Sequence, residues 1–182
     1  MSAVSLPRIE PAIPTLVDPF HRSGWVYEEK IDGWRIIAYK HGDDVRLVSR
    51  TGRDHTARFG DIARAIGKLS PRTLILDGEV AVFDERLVSR FDLLGESAPT
   101  EVVTPPIFMA FDCLYRDGRD LRSLPLGERR LFLERVVGGD TTSAEDYSTP
   151  VGDTADGIRV TYGDASRGRR PRAPLRRQKD TF

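Results

Sequence analysis

The sequence predicts an α+β fold in which antiparallel sheets carry flanking helices. Short runs of β-favouring residues outnumber the segments with helical periodicity. Asp-Gly dipeptides, which are typical of hairpin turns, separate several of these runs. The sequence has no βαβ alternation, internal repeat or heptad pattern. A doubly wound sheet, a solenoid and a coiled coil are therefore not expected.

The first part of the chain predicts an extended lead-in, a meander and a helix. Residues 1–13 form the proline-rich lead-in, because proline disfavours a helix at its own position and at the position before it. Three β-favouring runs, WVYEEK, WRIIAYK and DVRLVSR, predict an antiparallel meander. Apolar residues then recur at helical spacing from Thr56 to Leu69, and Ser70-Pro71 ends this helix.

The second part returns to strands. TLIL and EVAVFD predict a second hairpin with its turn at Asp77-Gly78. The apolar run PIFMAFDCLY predicts a strand buried on both faces, followed by a turn at Asp117-Gly118. Leu126 to Val137 predicts a second helix that ends at Gly138-Gly139.

Composition excludes several classes of protein. The chain has 182 residues, 39% hydrophobic and 31% charged, as in an ordinary globular domain. Its longest uninterrupted apolar stretch, residues 107–111, is far below the roughly 18 residues of a membrane helix. The opening lacks the pattern of a secretory signal, and the single Cys113 cannot form an internal disulfide. We expect a reducing, intracellular setting.

Charge is unevenly distributed along the chain. Residues 1–158 carry 20 basic and 26 acidic side chains, whereas residues 159–182 carry 8 and 2. The final segment is poor in periodic apolar residues and predicts a disordered basic tail. Such a tail attracts nucleic acid without sequence preference, or is simply a solvated terminus.

The stretch from Glu28 to Arg35 carries the most chemistry. It predicts a lysine at a strand end, a tight turn, and Arg35 at the start of the return strand. A cation close to Lys30 would disfavour its ammonium form and so favour the nucleophilic amine that covalent catalysis needs. The alternative from this octapeptide alone is an ordinary charged hairpin on a solvated face.

Three further motifs follow this one in a fixed order. Lys30-x-Asp-Gly-x-Arg35 is followed by SRTGRD at 49–54, Asp-Gly-Glu at 77–79, and an aromatic-Phe-Asp segment within 108–115. With these motifs the sequence resembles the covalent nucleotidyltransferases, and most closely the bacterial ATP-dependent DNA ligases, over roughly residues 14–137. The resemblance implies their nucleotidyltransferase (adenylation) fold, which we assign to residues 14–158.

The resemblance also implies roles for single residues. Lys30 would attack the α-phosphate of ATP, release pyrophosphate and hold AMP through a phosphoramide bond. Glu28, or the backbone beside it, would accept a hydrogen bond from the adenine amine, and Phe111 would stack on the adenine.

Three further residues would contact the rest of the nucleotide. Arg35 would touch ribose and phosphate, since a guanidinium suits phosphate oxygens, and Arg50 would face the phosphate and the DNA end. Glu79 would meet the ribose hydroxyls or a Mg²⁺ ion, which prefers oxygen ligands.

Without the resemblance, plainer interpretations remain open for these positions. Arg50 is typical of an exposed turn, and Glu79 is typical of the residue that follows a hairpin turn. Phe111 is typical of the buried side of an apolar strand. Asp112 faces away from Phe111 and is expected to pair with an arginine or with backbone amides, while Cys113 is expected to be a small buried residue. The three histidines share no metal-ligand spacing.

The sequence departs from the family after these motifs. Family members continue with Glu-Gly followed by a lysine, then with a Lys-x-Lys pair, and they carry a smaller OB-fold domain. Asp156-Gly157-Ile158 only partly resembles the first of these motifs, and Thr161 stands where its lysine would be. Because such lysines stabilise phosphate charge during transfer, we expect these 182 residues alone to seal nicks far more slowly than the family does.

The implied reaction is adenylation of the lysine, transfer of AMP to a DNA 5′-phosphate, and sealing of the nick. The resemblance implies ATP and Mg²⁺ as cofactors and nicked double-stranded DNA as the partner. It implies a location in the bacterial cytoplasm, at the nucleoid. Two alternatives stay open: a GTP-using capping guanylyltransferase, and a truncated non-catalytic remnant that binds nucleotide or DNA weakly.

Overall fold

In the computed structural model of the protein, the described residues form one mainly antiparallel sheet with two helices. The structure describes residues 6–13, 18, 30–95, 104–138 and 158–160. The strands are β1 (Trp34–His41), β2 (Asp44–Ser49), β3 (Thr73–Ala81), β4 (Ile107–Arg116), β5 (Arg119–Asp120) and β6 (Ile158–Val160). The helices are α1 (Gly60–Gly67) and α2 (Leu126–Val137), and a 3₁₀ turn spans Asp92–Leu94.

The strand order is β2-β1-β3-β4-β5, with every neighbouring pair antiparallel. β6 adds to β4 as the one parallel pairing among the described strands. The α+β fold class with antiparallel pairing predicted from the sequence is therefore confirmed. None of the described helices is long and apolar enough to cross a membrane.

The two faces of the sheet have different coverings. Both helices pack on one face, where alternate residues of β1, β3 and β4 join them in the main core. The opposite face carries a smaller cluster in which the lead-in residue Ile9 packs against Ile37, Ile75 and Leu114. The Ile9 N–H donates to the Tyr39 hydroxyl over 2.9 Å, which fixes the lead-in on this face.

The predicted hairpin turn at Asp77-Gly78 is wrong, because both residues lie inside the continuous strand β3. Gly78 does not have the positive φ that such a turn requires. It is instead a point of close approach between strands: a Cβ there would lie 2.5 Å from the Phe108 ring and 2.7 Å from the Met109 carbonyl oxygen.

The predicted three-strand meander is only partly correct. WRIIAYK and DVRLVSR form the antiparallel pair β1–β2. The other edge of β1 is occupied by β3 over the whole of Trp34–His41, so a strand at WVYEEK cannot be its hairpin partner. Residues 25–29 lie outside the described residues.

The first helix is shorter than predicted, because it begins at Gly60 rather than Thr56. The intervening residues form turns tied to β2: the Thr56 hydroxyl accepts from the Leu47 N–H over 2.9 Å. The second helix and the turn at Asp117-Gly118 have the predicted bounds. β6 extends two residues past the boundary drawn at residue 158, and residues 161–182 lie outside the described part of the chain.

Candidate active site

The segment that follows Lys30 has no regular secondary structure, but each of its next three residues has an anchor. Ile31 is buried beside Ala81. The Asp32 N–H donates to the Ser89 hydroxyl over 2.8 Å, and the Gly33 N–H donates to Glu79 Oε1 over 3.2 Å. Lys30 itself is 45% exposed, with its Nζ 3.7 Å from Asp32 Oδ1. The lysine amine is thus accessible at the end of a segment fixed at several points.

Gly33 is required by space rather than by a turn. A Cβ at this position would lie 2.3 Å from the backbone oxygen of Val80, which no side chain can do without a shift of the chain. The missing side chain lets the segment after Lys30 lie directly against β3. The glycine of the first motif therefore brings the segment within hydrogen-bonding reach of the glutamate of the third.

Arg35 and Asp77 make a second link between the same two motifs. The Arg35 Nε and Nη2 donate to the two carboxylate oxygens of Asp77 in a forked pair. Asp77 is fully buried, and Arg35 is 13% exposed. Burial raises the pKa of Asp77 to about 6, against the opposing effect of the Arg35 cation.

This pairing changes the predicted surroundings of Lys30. We expected the turn to bring Arg35 back as the charged neighbour of Lys30, but its guanidinium is bound to Asp77 on β3. The ion pair of Lys30 among the described residues is with Asp32 instead. The reason is that β1 pairs with β3 along its whole length, so Arg35 lies opposite Glu79 and diagonal to Asp77.

Glu79 lies on the same strand face as Asp77 and is buried. Burial raises the pKa of Glu79 to about 7, while Arg35, the Gly33 N–H and Lys30 act in the opposite direction. The pairing of Glu79 with Arg35 and its hydrogen bond from the Gly33 N–H put this carboxyl group against the first motif. A carboxyl group in this range changes charge near neutral pH.

Phe111 is buried, with 4% of its surface exposed, and the Arg35 guanidinium lies over its ring at 4.5 Å from the centroid. This is a cation–π arrangement. The burial favours the core interpretation of Phe111, and adenine stacking stays a prediction.

Arg50 and Glu28 are the remaining predicted site residues. Arg50 is exposed in the turn after β2, and the pairing of Ile36 with Ser49 puts it at the same end of the sheet as Arg35. Glu28 lies outside the described residues. The structure therefore brings Lys30, Arg35, Glu79 and Phe111 together, and it leaves Arg50 on the rim.

The described residues contain no group of three or more side chains that could hold a metal ion by themselves. Mg²⁺ usually takes one or two carboxylates and completes its shell with water and substrate phosphates. Glu79, whose Oε1 accepts from the N–H of Gly33 three residues after Lys30, fits that kind of partial site.

Sequence reasoning missed three contributors. The Asp-Gly pattern predicts a turn at Asp77, whereas strand alternation puts this residue on the same face as Glu79. Ser89 lies 57 residues from Asp32, and no local pattern could indicate their contact. Arg129 was also missed: it is fully buried in α2 and pairs with Asp112, its Nε and Nη2 each 2.9 Å from a carboxylate oxygen. The expectation of an arginine partner for Asp112 is confirmed.

Comparison with protein families gives a match to the ATP-dependent DNA ligase domain over residues 4–166. The chain therefore belongs to this family. The motifs predict that the likeness to the family ends between residues 137 and 156, but the match extends to residue 166. It includes β6, which pairs with β4 and so belongs to the sheet.

Individual relatives agree with this assignment. The chain is 34% identical over 131 residues to the multifunctional non-homologous end joining protein LigD of Pseudomonas aeruginosa, covering 72% of the chain and 16% of that protein. It is 36% identical over 137 residues to a probable DNA ligase of Saccharopolyspora erythraea, covering 71% and 24%. The chain thus spans a quarter or less of the length of these two relatives.

Solved structures show the same likeness. The ligase domain of Mycobacterium tuberculosis LigD superimposes with a TM-score of 0.52 at 34% identity, over 60% of this chain and 36% of that chain. A mycobacterial DNA ligase D complexed with ATP and MES gives 0.51 at 34% identity, with the same two coverages.

Proposed function

We propose that this chain forms the adenylation site of an ATP-dependent DNA ligase and that Lys30 carries the AMP. One observation carries the proposal. The first and third motifs are joined by the Arg35–Asp77 ion pair and by the hydrogen bond from Gly33 to Glu79. The accessible Lys30 amine lies at the end of the segment that these contacts hold. An exposed lysine on a fixed segment has the geometry that a covalent nucleophile needs.

In the proposed reaction, Lys30 supplies the attacking electron pair. Its Nζ forms a bond to the α-phosphorus of ATP, the bond from that phosphorus to the bridging oxygen breaks, and pyrophosphate leaves while the amine loses a proton. The ATP bound in a related mycobacterial ligase structure supports this choice of nucleotide.

Residues around Lys30 would stabilise the negative charge of the phosphates. Glu79 would supply a carboxylate ligand to Mg²⁺, whose positive charge would lower the cost of negative charge on the phosphates. Arg35 is held in place by Asp77, so it presents its charge without reorganisation. Arg50, exposed at the same end of the sheet, is available to a phosphate group of nucleotide or DNA.

The later steps concern DNA. AMP would pass from Lys30 to the 5′-phosphate of a nick, and attack by the 3′-hydroxyl would then seal the strand. The names of the relatives, a probable DNA ligase and an end-joining protein, support DNA as the partner and repair as the process. Because phosphate contacts dominate such binding, we expect affinity for DNA to fall steeply with salt.

Intact-mass measurement tests this proposal and its GTP-using alternative together. The chain is incubated with ATP or with GTP, each with Mg²⁺. We expect the mass of one AMP to be added with ATP and nothing to be added with GTP. A GMP adduct would assign the site to a capping guanylyltransferase, and the absence of any adduct would support a non-catalytic remnant.

A further inference from the structure

A short hairpin next to Lys30 has no part in the proposed reaction so far. The 82–91 hairpin continues directly from β3 and folds back, with Phe83 bridged to Ser89. The Asp84 N–H donates to the Val88 carbonyl over 3.1 Å, and the Arg90 N–H donates to the Val82 carbonyl over 3.0 Å. Two backbone hydrogen bonds thus join the two arms of this hairpin.

The tip of the hairpin is also held internally. Asp84 Oδ1 accepts from the Arg86 N–H over 2.9 Å and from the Val88 N–H over 3.0 Å. Leu87 has φ of 57°, a value that a side-chain-bearing residue rarely adopts, and its N–H donates to the Asp84 carbonyl over 2.9 Å. A hairpin closed in this way can act as a rigid support.

Two contacts join this support to the segment that carries Lys30. The Ser89 hydroxyl accepts from the Asp32 N–H over 2.8 Å. Asp32 Oδ2 accepts from the Phe91 N–H over 3.4 Å, while Oδ1 of the same carboxylate lies 3.7 Å from Lys30 Nζ. The hairpin therefore fixes both the backbone of Asp32 and the direction of the carboxylate that faces the lysine.

We propose that Ser89 is a positioning residue for the Lys30 nucleophile, acting through the Asp32 N–H. The inference builds on the proposed function. The burial of Ile31 and the Gly33 hydrogen bond to Glu79 hold the segment to β3 on either side of Asp32. The Ser89 contact adds a hydrogen bond at the peptide between them, which fixes the orientation of that peptide. Fixing the peptide restricts where the Lys30 amine can lie, and orientation of a nucleophile is worth a large factor in rate.

The first test is Ser89→Ala, compared with Ser89→Thr, which keeps a hydroxyl. Thr56→Ala is a matched control, because the Thr56 hydroxyl also accepts from one backbone N–H, over 2.9 Å, at a site the proposed reaction does not use. Single-turnover AMP transfer to the protein is measured across ATP concentrations. We expect Ser89→Ala to lower the maximal rate about tenfold and to leave the half-saturating ATP concentration within about twofold.

The remaining variants separate positioning from a general loss of structure. Ser89→Thr should recover most of the rate, and Thr56→Ala should keep the wild-type rate although it loses the same kind of hydrogen bond. An unchanged maximal rate in Ser89→Ala, with adduct formed by the wild type, would overturn the inference. So would equal slowing in Ser89→Ala and Thr56→Ala.

A second measurement does not depend on adenylation. Amide hydrogen exchange at Asp32 is followed by nuclear magnetic resonance in the wild type and in Ser89→Ala. We expect exchange at Asp32 to be at least about tenfold faster in the variant, with amides of β3 unchanged. If the wild type forms no adduct, the proposed function fails. The hydrogen-exchange measurement then tests whether Ser89 anchors Asp32, and unchanged exchange at Asp32 in Ser89→Ala would overturn the inference.

Discussion

The buried pair of Arg35 and Asp77 allows a quantitative prediction about stability. Replacing one partner leaves the other charge buried alone, which costs about 3–5 kcal/mol, whereas replacing both with uncharged residues is often close to neutral. We expect Arg35→Met and Asp77→Asn each to cost about 3 kcal/mol or more, and the double variant to cost clearly less than their sum. For a domain stabilised by about 5–15 kcal/mol, either single loss is large.

The two single variants should differ in their dependence on pH. In Arg35→Met, the orphaned Asp77 can take up a proton, and without the cation its pKa rises further above the value of about 6. The folded state then keeps a proton that the unfolded state loses above about pH 4, so stability falls as pH rises. In Asp77→Asn no carboxyl group titrates at this position, so the variant lacks the gain in stability at low pH that the raised pKa of Asp77 gives the wild type, and its destabilisation should be larger at pH 5 than at pH 8.

Urea unfolding of the wild type, both single variants and the double variant at pH 5 and pH 8 measures these quantities. We expect a coupling energy of about 2 kcal/mol or more at pH 8, and a destabilisation by Arg35→Met that is smaller at pH 5. A coupling energy below about 0.5 kcal/mol, or equal destabilisation at both pH values, would show that the pair is not buried and formed as described.

Three further predictions concern neighbouring positions. Gly33→Ala, whose Cβ would lie 2.3 Å from a backbone oxygen of β3, should slow AMP transfer about a hundredfold, while Gly127→Ala, with nothing within 4 Å, should not, and equal rates would refute the steric argument. Because the pKa of Glu79 is about 7 against an ordinary 4.5, the folded state keeps a proton that the unfolded state loses between these values. Glu79 should therefore lower stability by up to about 3 kcal/mol from pH 4.5 to 7, and Glu79→Gln should reduce the pH-dependent loss of stability by that amount in unfolding curves. Phe111→Leu should lower the melting temperature and leave the equilibrium affinity for ATP within about twofold if Phe111, 4% exposed beneath Arg35, is a core residue; a selective loss of ATP affinity would instead support the predicted adenine stacking.

Much of the fold could be predicted because local patterns agree with tertiary structure. The β-favouring run at β1 and the helical spacing of α2 each have one interpretation, and both elements form there. Asp77-Gly78 shows the limit of such patterns. The dipeptide is typical of turns, but here Gly78 allows β4 to lie close to β3 and Asp77 forms an ion pair with Arg35. Both interactions involve residues that are distant in sequence.

The candidate site was predicted as a set of residues rather than as an arrangement. Motif order identified Lys30, Arg35 and Glu79, but the partner of Arg35 depends on which strand lies next to β1. That strand is β3, about 40 residues later, and the local turn suggested otherwise. The contact of Ser89 with Asp32 depends likewise on a hairpin whose position is set only when the sheet assembles.

The identity of the adenylated residue is the most direct test of the central claim. The chain has four lysines: Lys30; Lys40, which is buried with its Nζ bonded to the Pro71 carbonyl over 2.7 Å; Lys68, which is exposed; and Lys179, which lies outside the described residues. The exposed Lys68 is therefore the matched control. Wild type, Lys30→Ala and Lys68→Ala are incubated with ATP labelled at the α-phosphate and with Mg²⁺, and label retained after denaturation is counted. We predict covalent AMP on the wild type and on Lys68→Ala and none on Lys30→Ala. Retention of label by a correctly folded Lys30→Ala, or its absence from the wild type, would contradict the account.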